Sequence, residues 1–144
     1  MAMSFRVMLV EDDDLDVLNV ERAFRGEVAI ESLVVARDGV EALDLLRSGH
    51  IELDRLVLLV DLRMPRMSGL ELVHELRKAP SVARLPVVIL TTSRDEGDRT
   101  AAYALHVAGY LIKPIDGTAF RDCMRRFVEY WSHVEYPEHR RFSA

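Results

Sequence analysis

The sequence predicts a doubly wound α/β fold, in which helices cover both faces of one five-stranded parallel sheet. Short apolar runs alternate five times with longer segments of helical periodicity, and no internal repeat or linker interrupts this alternation. The run Leu56–Val60 has no polar position, which is typical of a strand that is buried on both faces. The length of 144 residues corresponds to one domain, and a hydrophobic content of 49% is enough for a full core.

The apolar runs locate the five strands, because each run is short and ends at polar or turn-forming residues. The predicted strands are about Phe5–Val10, Ala29–Ala36, Leu56–Val60, Val87–Leu90 and Gly109–Ile112. Right-handed crossover connections allow few strand orders, and we expect the order 2-1-3-4-5, which is the flavodoxin-like arrangement. That order places the first and third strands side by side.

Helical spacing of apolar residues, with glycine or proline at the ends, predicts a helix after each strand. The first helix is predicted from near Leu15 to about Arg25, and the second from Asp38 or Gly39 to before Gly49. The third is predicted from about Ser68 to Lys78. The fourth begins between Asp95 and Asp98, and the fifth begins near Asp116. The residues expected to face the core are Val17, Val20 and Phe24, then Ala42, Leu45 and Leu46, then Leu72, Val73 and Leu76, and finally Ala101, Ala104 and Leu105.

Acidic residues follow the first and third strands at their carboxyl ends, where open α/β sheets bind ligands. Asp61 follows the third strand, and Glu11 and Asp12 follow the first. Asp61 alone could be a solvated turn residue, and the next acids along the chain, Asp13 and Asp14, can cap a helix. Neighbouring strands would crowd Glu11 and Asp12 against Asp61, and a divalent cation such as Mg²⁺ (or Mn²⁺) would relieve the repulsion. The sequence therefore predicts a metal site at which a phosphate can bind.

Polar residues also end the fourth and fifth strands. Thr91 and Thr92 close the fourth strand, and Lys113 and Pro114 close the fifth. A hydroxyl or ammonium group in such a place is often only a solvated strand end. At this edge of the sheet it would face the acids, where it could also bind a phosphoryl oxygen.

The composition excludes several classes of function. With 19 basic and 24 acidic residues the net charge is −5, which argues against direct nucleic-acid binding. We expect no membrane span, no signal peptide and no disulfide framework, since Cys123 is the single cysteine, and we therefore expect a cytoplasmic protein. Neither G-x-G-x-x-G nor GxxxxGK[ST] occurs, so nucleotide binding has little support.

These residues resemble the receiver domain of two-component response regulators, from about Phe5 to Tyr130. The motifs are Val10-Glu11-Asp12, Asp61-Leu62-Arg63-Met64-Pro65 with Gly69, Thr91-Thr92 and Lys113-Pro114, and Thr91 and Lys113 follow Asp61 by 30 and 52 residues. The resemblance implies that Asp61 is the phosphoacceptor and that Lys113 pairs with the phosphate. It also implies that Mg²⁺ is held by Glu11, Asp12, Asp61 and the main-chain carbonyl of Arg63. Thr91 and Tyr110 would form the switch.

The resemblance also implies a sensor histidine kinase as the phosphoryl donor. Thr91 would move toward the phosphoryl group, and Tyr110 would turn into the vacated space, which would change the surface of helix four, strand five and helix five. A narrower resemblance, to single-domain regulators paired with bacterial phytochromes, rests on Leu90-Thr91-Thr92-Ser93, Leu105-His106-Val107 and Glu129-Tyr130-Trp131. Arg63 beside the phosphate site could pair with the phosphate or obstruct the attacking water.

The carboxy-terminal segment suggests an interface. We divide the chain into a receiver domain, residues 1–132, and an arm, residues 133–144. Trp131, Val134 and Tyr136 lie beyond the usual end of such a domain, and exposed aromatic residues there would suggest a protein interface. We therefore expect a homodimer through helix four, strand five, helix five and the arm, with Phe127, Trp131 and Val134 as contacts. His139-Arg140-Arg141 is predicted to be a solvated tail.

Two other classes of function fit the same residues. An aspartate-nucleophile phosphatase would use Asp61, but such enzymes need a second acid two residues later, where this chain has Arg63. A phosphorylation-independent scaffold would keep the fold without the switch, yet all the expected site residues are present. We recognise no output domain in the sequence, so we expect an output through protein contact or phosphate relay.

Overall fold

The structure is a computed structural model that describes residues 2–138. Within these residues five strands alternate with five helices: β1 (Phe5–Val10), α1 (Asp14–Phe24), β2 (Ile30–Ala36), α2 (Gly39–Arg47), β3 (Leu56–Val60), α3 (Gly69–Lys78), β4 (Val87–Thr91), α4 (Glu96–Ala104), β5 (Gly109–Ile112) and α5 (Gly117–His133). The strands are parallel and lie in the order 2-1-3-4-5, so the predicted fold class is confirmed.

The sheet separates two apolar cores. One core joins the sheet to α2, α3 and α4, and the other joins it to α1 and α5. Every residue of β3 and of β4 is buried, as the apolar runs predicted. Among the helices of the described chain, none is both long enough and apolar enough to cross a membrane.

Helix α4 corrects the predicted inward face. Ala102 is its buried residue, whereas Ala101 and Ala104 are exposed and Leu105 is only partly buried. In α2, Leu43 is buried, a position that was not predicted, and Leu45 is only partly buried. The small alanines at positions 101, 102 and 104 give no clear apolar stripe, which is why the periodicity misassigned the inward face of α4.

Arg77 of α3 anchors the carboxyl end of α4. Its guanidinium donates to the carbonyls of Leu105 and His106 just after α4, at 2.9 and 3.1 Å. It also donates to the carbonyls of Ala83 and Leu85 in the connection that leads to β4. The end of α4 that lies farther from the acids is therefore held by a partly buried cation.

The predicted exposure of Trp131 is wrong. Phe127 and Trp131 are only 5% and 6% exposed and belong to the core of α1 and α5. Beyond α5, the hydroxyl of Tyr136 donates to the carbonyl of Trp131 at 2.9 Å. The guanidinium carbon of Arg55 lies over the Tyr136 ring, 4.7 Å from the ring centre. Val134 is also packed against this core. The segment after α5 thus covers its own domain, and the predicted tail His139-Arg140-Arg141 lies outside the described residues.

Candidate functional site

The carboxyl ends of β1 and β3 lie side by side and bring the predicted acids together. Val10 and Val60 are register partners, and the amide of Asp61 donates to the carbonyl of Val10 at 3.0 Å. Glu11, Asp12 and Asp61 each offer a carboxylate oxygen within 4.8 Å of the others. Glu11 is buried, whereas Asp12 is exposed to solvent. Three carboxylates at this spacing could hold one divalent cation that keeps part of its water shell.

The loop after Asp61 is fixed by close backbone contacts. A Cβ atom at Gly69 would lie 2.2 Å from the carbonyl oxygen of Asp61, so no larger residue fits where α3 begins. Ser68 caps α3 in a capping box with Glu71. The amide of Leu62 donates to Oδ1 of Asp61 at 2.7 Å, which orients the carboxylate.

Lys113 neutralises the acids directly. Its ammonium donates to Oε1 of Glu11 at 2.5 Å, to Oδ2 of Asp16 at 2.8 Å and to Oδ2 of Asp61 at 3.0 Å. The three protons of a lysine ammonium are thereby used on carboxylates. Because the Lys113 side chain is only 7% exposed, water screens these contacts little.

Asp16 is a site residue that the sequence did not predict. An acid in the first turn of α1 already has an explanation in the helix dipole, so its contact with Lys113 gave no separate signal. The contact depends on how α1 sits over the end of β5, which spacing along the chain does not reveal.

The ionisation of the site reflects burial and crowding. Burial raises the pKa of Glu11 to about 8, and the nearby charge of Asp61 acts in the same direction, although Lys113 opposes both. Burial alone would lower the pKa of Lys113, but its bonds to Asp16 and Glu11 and the charge of Asp61 together raise it. Lys113 therefore stays charged. A cation that replaces the proton of Glu11 would stabilise its buried carboxylate.

The loop between β4 and α4 links Thr91 to Tyr110 through Ser93. The buried hydroxyl of Thr91 accepts from the amide of Ser93 at 3.3 Å, and the hydroxyl of Tyr110 donates to the carbonyl of Ser93 at 2.9 Å. Tyr110 is thus already turned toward this loop, whereas the predicted switch has it turn after Thr91 moves. Thr92 is exposed and lines a neighbouring cleft.

Arg63 links the loop after Asp61 to α4. Its guanidinium forms an ion pair with Oδ2 of Asp98 in the first turn of α4, at 3.1 Å. On the other side of the same loop, Arg66 pairs with Asp38 at the start of α2 at 2.7 Å, and its φ of 63° is unusual for a residue with a side chain. Two arginines therefore fasten the loop after Asp61 to two different helices.

A cleft of about 590 Å³ opens beside the acids, between α1 and the start of α5. Asp16, Thr92, Lys113 and Pro114 line the part nearest the site. Two large apolar side chains on its wall are exposed, Leu15 and Ile115. Exposed apolar groups next to reactive ones are typical of a surface for a protein partner.

Comparison with known proteins gives consistent results. The family described as "Response regulator receiver domain" matches residues 7–125. The probable methanogenesis regulatory protein FilR2 of Methanothrix harundinacea is 37% identical over 130 residues, which cover 88% of this chain and 83% of that protein. Response regulator Rcp1 of Synechocystis is 36% identical over 110 residues, which cover 74% of this chain and 75% of that protein.

Solved structures of similar proteins agree with the sequence matches. The phosphorylated cyanobacterial phytochrome response regulator RcpA superposes with a TM-score of 0.86 at 30% identity, covering 94% of this chain and 99% of that one. The Mn²⁺-bound form of Rcp1 superposes with a TM-score of 0.81 at 31% identity, covering 93% of this chain and 99% of that one.

The raised pKa of Glu11 predicts pH-dependent stabilisation by Mg²⁺. Without metal, the stability that protonated Glu11 contributes is complete below its usual pKa of 4.5 and is lost as the pH rises through about 8. Mg²⁺ must displace that proton, so saturating Mg²⁺ should raise the melting temperature more at pH about 8.5 than at about 6.5. Thermal melts of wild type and Glu11→Gln check this, because the variant should lose the pH dependence. Equal shifts at both pH values in the wild type would contradict it.

Proposed function

The chain belongs to the family of response regulator receiver domains, and from this premise we propose that it accepts a phosphoryl group on Asp61 from a sensor histidine kinase. The observation that carries the proposal is the meeting of Asp61 with Glu11, Asp12 and Lys113 at one edge of the sheet. Nothing in this arrangement requires turnover of a separate substrate. The signal is the state of the protein itself.

The reaction we propose is transfer from a phosphohistidine to a carboxylate. A carboxylate oxygen of Asp61 attacks phosphorus, a P–O bond forms, the P–N bond breaks, and its electron pair stays on the imidazole. The amide of Leu62 and the ammonium of Lys113 already hold the two oxygens of Asp61. In this reaction Lys113 would pair with one phosphoryl oxygen, and the hydroxyl of Thr91 would donate to another.

The residues present fit Mg²⁺ or Mn²⁺. Glu11, Asp12 and Asp61 would hold the ion, together with the main-chain carbonyl of Arg63. Hard carboxylate oxygens suit these cations, and the raised pKa of Glu11 reflects buried charge that a cation would compensate. When bound, the ion supplies positive charge next to the transferred group. The Mn²⁺-bound form of the similar protein Rcp1 supports the choice of ion.

The switch we propose runs through Ser93. In the structure, the hydroxyl of Thr91 accepts a hydrogen bond from the amide of Ser93. A new phosphoryl group on Asp61 would attract that hydroxyl. Any shift of Ser93 changes the bond that Tyr110 donates to its carbonyl. Phosphorylation would thereby alter the surface of α4, β5 and α5. Charge-assisted hydrogen bonds supply free energies of the size that such a shift requires.

Two rival functions are less well supported. The phosphatase alternative needs a second acid where Arg63 stands, and that guanidinium is paired with Asp98. The scaffold alternative predicts a decayed site, yet Asp61 and Lys113 are in hydrogen-bond contact at 3.0 Å. The signalling module therefore accounts for more of the geometry.

The cleft between α1 and α5 is the docking surface that we propose for the kinase. It adjoins Lys113 and exposes Leu15 and Ile115, so a partner bound there could present a phosphohistidine to Asp61. The likeness to RcpA, a phytochrome response regulator, favours a bacteriophytochrome as the kinase. A cytoplasmic location is part of the same proposal, supported by the low cysteine content.

We also propose a homodimer, but with contacts other than those predicted from the sequence. Phe127 and Trp131 are buried in their own domain and cannot form the interface as they stand. Tyr103 on α4 and Tyr130 on α5 are exposed aromatic residues on the two helices that we expect to meet a second copy. These tyrosines replace the buried pair in the proposed interface.

Asp61→Asn should abolish phosphorylation, because an amide is a poor nucleophile toward phosphorus. Incubation with acetyl phosphate and Mg²⁺, followed by intact mass measurement, should show a phosphoryl adduct on the wild type and none on Asp61→Asn. Asp14→Asn is the matched control, because that side chain is 93% exposed, and it should be labelled normally. A full adduct on Asp61→Asn would refute the assignment.

Ile115→Glu should separate docking from chemistry. Transfer from a phosphorylated bacteriophytochrome kinase should slow by about tenfold or more, as expected for loss of an interface anchor. Labelling by acetyl phosphate needs no docking and should stay near the wild-type rate. Val28→Glu is the control, since Val28 is also exposed but follows the far end of α1. The docking surface is wrong if Ile115→Glu receives phosphate from the kinase at the wild-type rate.

Tyr130→Ser should weaken self-association, because it removes an exposed aromatic contact. Light scattering over a range of protein concentrations should show a dimer for the wild type and a shift toward monomer for the variant. A wild type that stays monomeric at the highest concentration, with and without beryllium fluoride, would exclude the dimer.

A further inference from the structure

An ion pair joins the loop after the phosphoacceptor to α4. Arg63 lies two residues after Asp61, and its guanidinium reaches Oδ2 of Asp98 at 3.1 Å. The Arg63 side chain is 74% exposed, whereas that of Asp98 is 24% exposed. Asp98 is thus the more firmly placed partner, and it fixes the direction in which the flexible arginine points.

Ser93 secures Asp98 and connects it to the switch residues. Its hydroxyl donates to the same Oδ2 of Asp98 at 2.6 Å. The amide of Ser93 donates to Thr91, and its carbonyl accepts from Tyr110. One continuous series of contacts therefore runs from Arg63 through Asp98 and Ser93 to Tyr110.

The amino end of α4 depends on these polar contacts. Within α4, Ala102 is the buried residue, so apolar packing holds this helix weakly. Arg77 anchors the opposite end by its bonds to the carbonyls of Leu105 and His106. At the amino end the cap is Asp95, and Asp98 adds the contacts to Ser93 and Arg63.

Phosphorylation of Asp61 would create a competitor for Arg63. An aspartyl phosphate carries more negative charge than a carboxylate, and a guanidinium binds phosphate in a favourable planar geometry. An arginine two residues away that left Asp98 could pair with the phosphoryl oxygens and shield them from water. As long as Asp98 holds Arg63, that shielding is withheld.

We propose that Asp98 is a positioning residue that holds Arg63 away from Asp61 and thereby shortens the lifetime of the aspartyl phosphate. The inference rests on the proposed phosphorylation of Asp61. It also assigns a role to Arg63, whose effect on the phosphate the sequence left open.

A double-mutant cycle tests this inference. Aspartyl phosphate decay would be measured for wild type, Asp98→Asn, Arg63→Gln and the double variant, all labelled with acetyl phosphate and then freed of it. Asp98→Asn should lengthen the lifetime by about threefold, the range expected for a partly exposed ion pair. In the Arg63→Gln background the same substitution should have no effect, because no guanidinium is left to release. Asp98→Glu should restore a lifetime near that of the wild type.

Matched controls and a second readout make the outcome decisive. Glu96→Gln, an exposed acid in the same turn of α4, should leave the lifetime unchanged. Addition of beryllium fluoride and Mg²⁺ should shift the NMR resonances of the Arg63 side-chain nitrogens. The shift should be larger in Asp98→Asn than in the wild type. Equal lifetimes in wild type and Asp98→Asn, or the same lengthening with and without Arg63, would overturn the inference while phosphorylation itself stands. A wild type that takes up no phosphoryl group would overturn the proposed function and this inference together.

Discussion

The structure depends on the contact of one buried ammonium with three carboxylates at a single edge of the sheet. Lys113 comes from the end of β5, Glu11 and Asp61 from the ends of β1 and β3, and Asp16 from α1. Without that cation the acids would repel one another, and burial of Glu11 would be still less favourable. The compensation is incomplete, because more negative than positive charge remains. That remainder supports the proposed binding of a divalent cation and the proposed response to an added phosphoryl group.

In the proposed switch, the loops around this edge would convert a change of charge into a change of shape. The loop after β3 is tied to α2 by Arg66 and to α4 by Arg63, and close packing at Gly69 fixes its backbone. The loop after β4 is tied to both switch residues through Ser93. Exposed ion pairs and single hydrogen bonds are individually weak, so an added phosphate can exchange them at low cost. The proposed switch would therefore need only a local rearrangement at α4.

Much of this could be predicted because parallel strands end at a common edge. The apolar runs predicted the strands, and handedness left few strand orders. The order 2-1-3-4-5 was preferred because it brings Asp61 next to Glu11 and Asp12, and the structure has both that order and that proximity. Features that depend on helix placement were missed. Asp16 has a local explanation in its own helix, so its contact with Lys113 gave no signal. Trp131 was misjudged because an apolar residue beyond the expected domain end can cover its own core as readily as a partner's. The direction of Arg63 depends on Asp98, which lies in another element.

The central claim is that the ends of β1 and β3 form one cation site at which Asp61 accepts a phosphoryl group. A crystal structure with Mn²⁺ and beryllium fluoride tests it most directly, since anomalous scattering locates the metal without ambiguity. The account predicts one anomalous peak among the oxygens of Glu11, Asp12 and Asp61, beryllium fluoride bonded to Asp61, and Lys113 in contact with a fluorine. A metal bound elsewhere, or an Asp61 that carries no beryllium fluoride in a folded protein with Mn²⁺ bound, would contradict it.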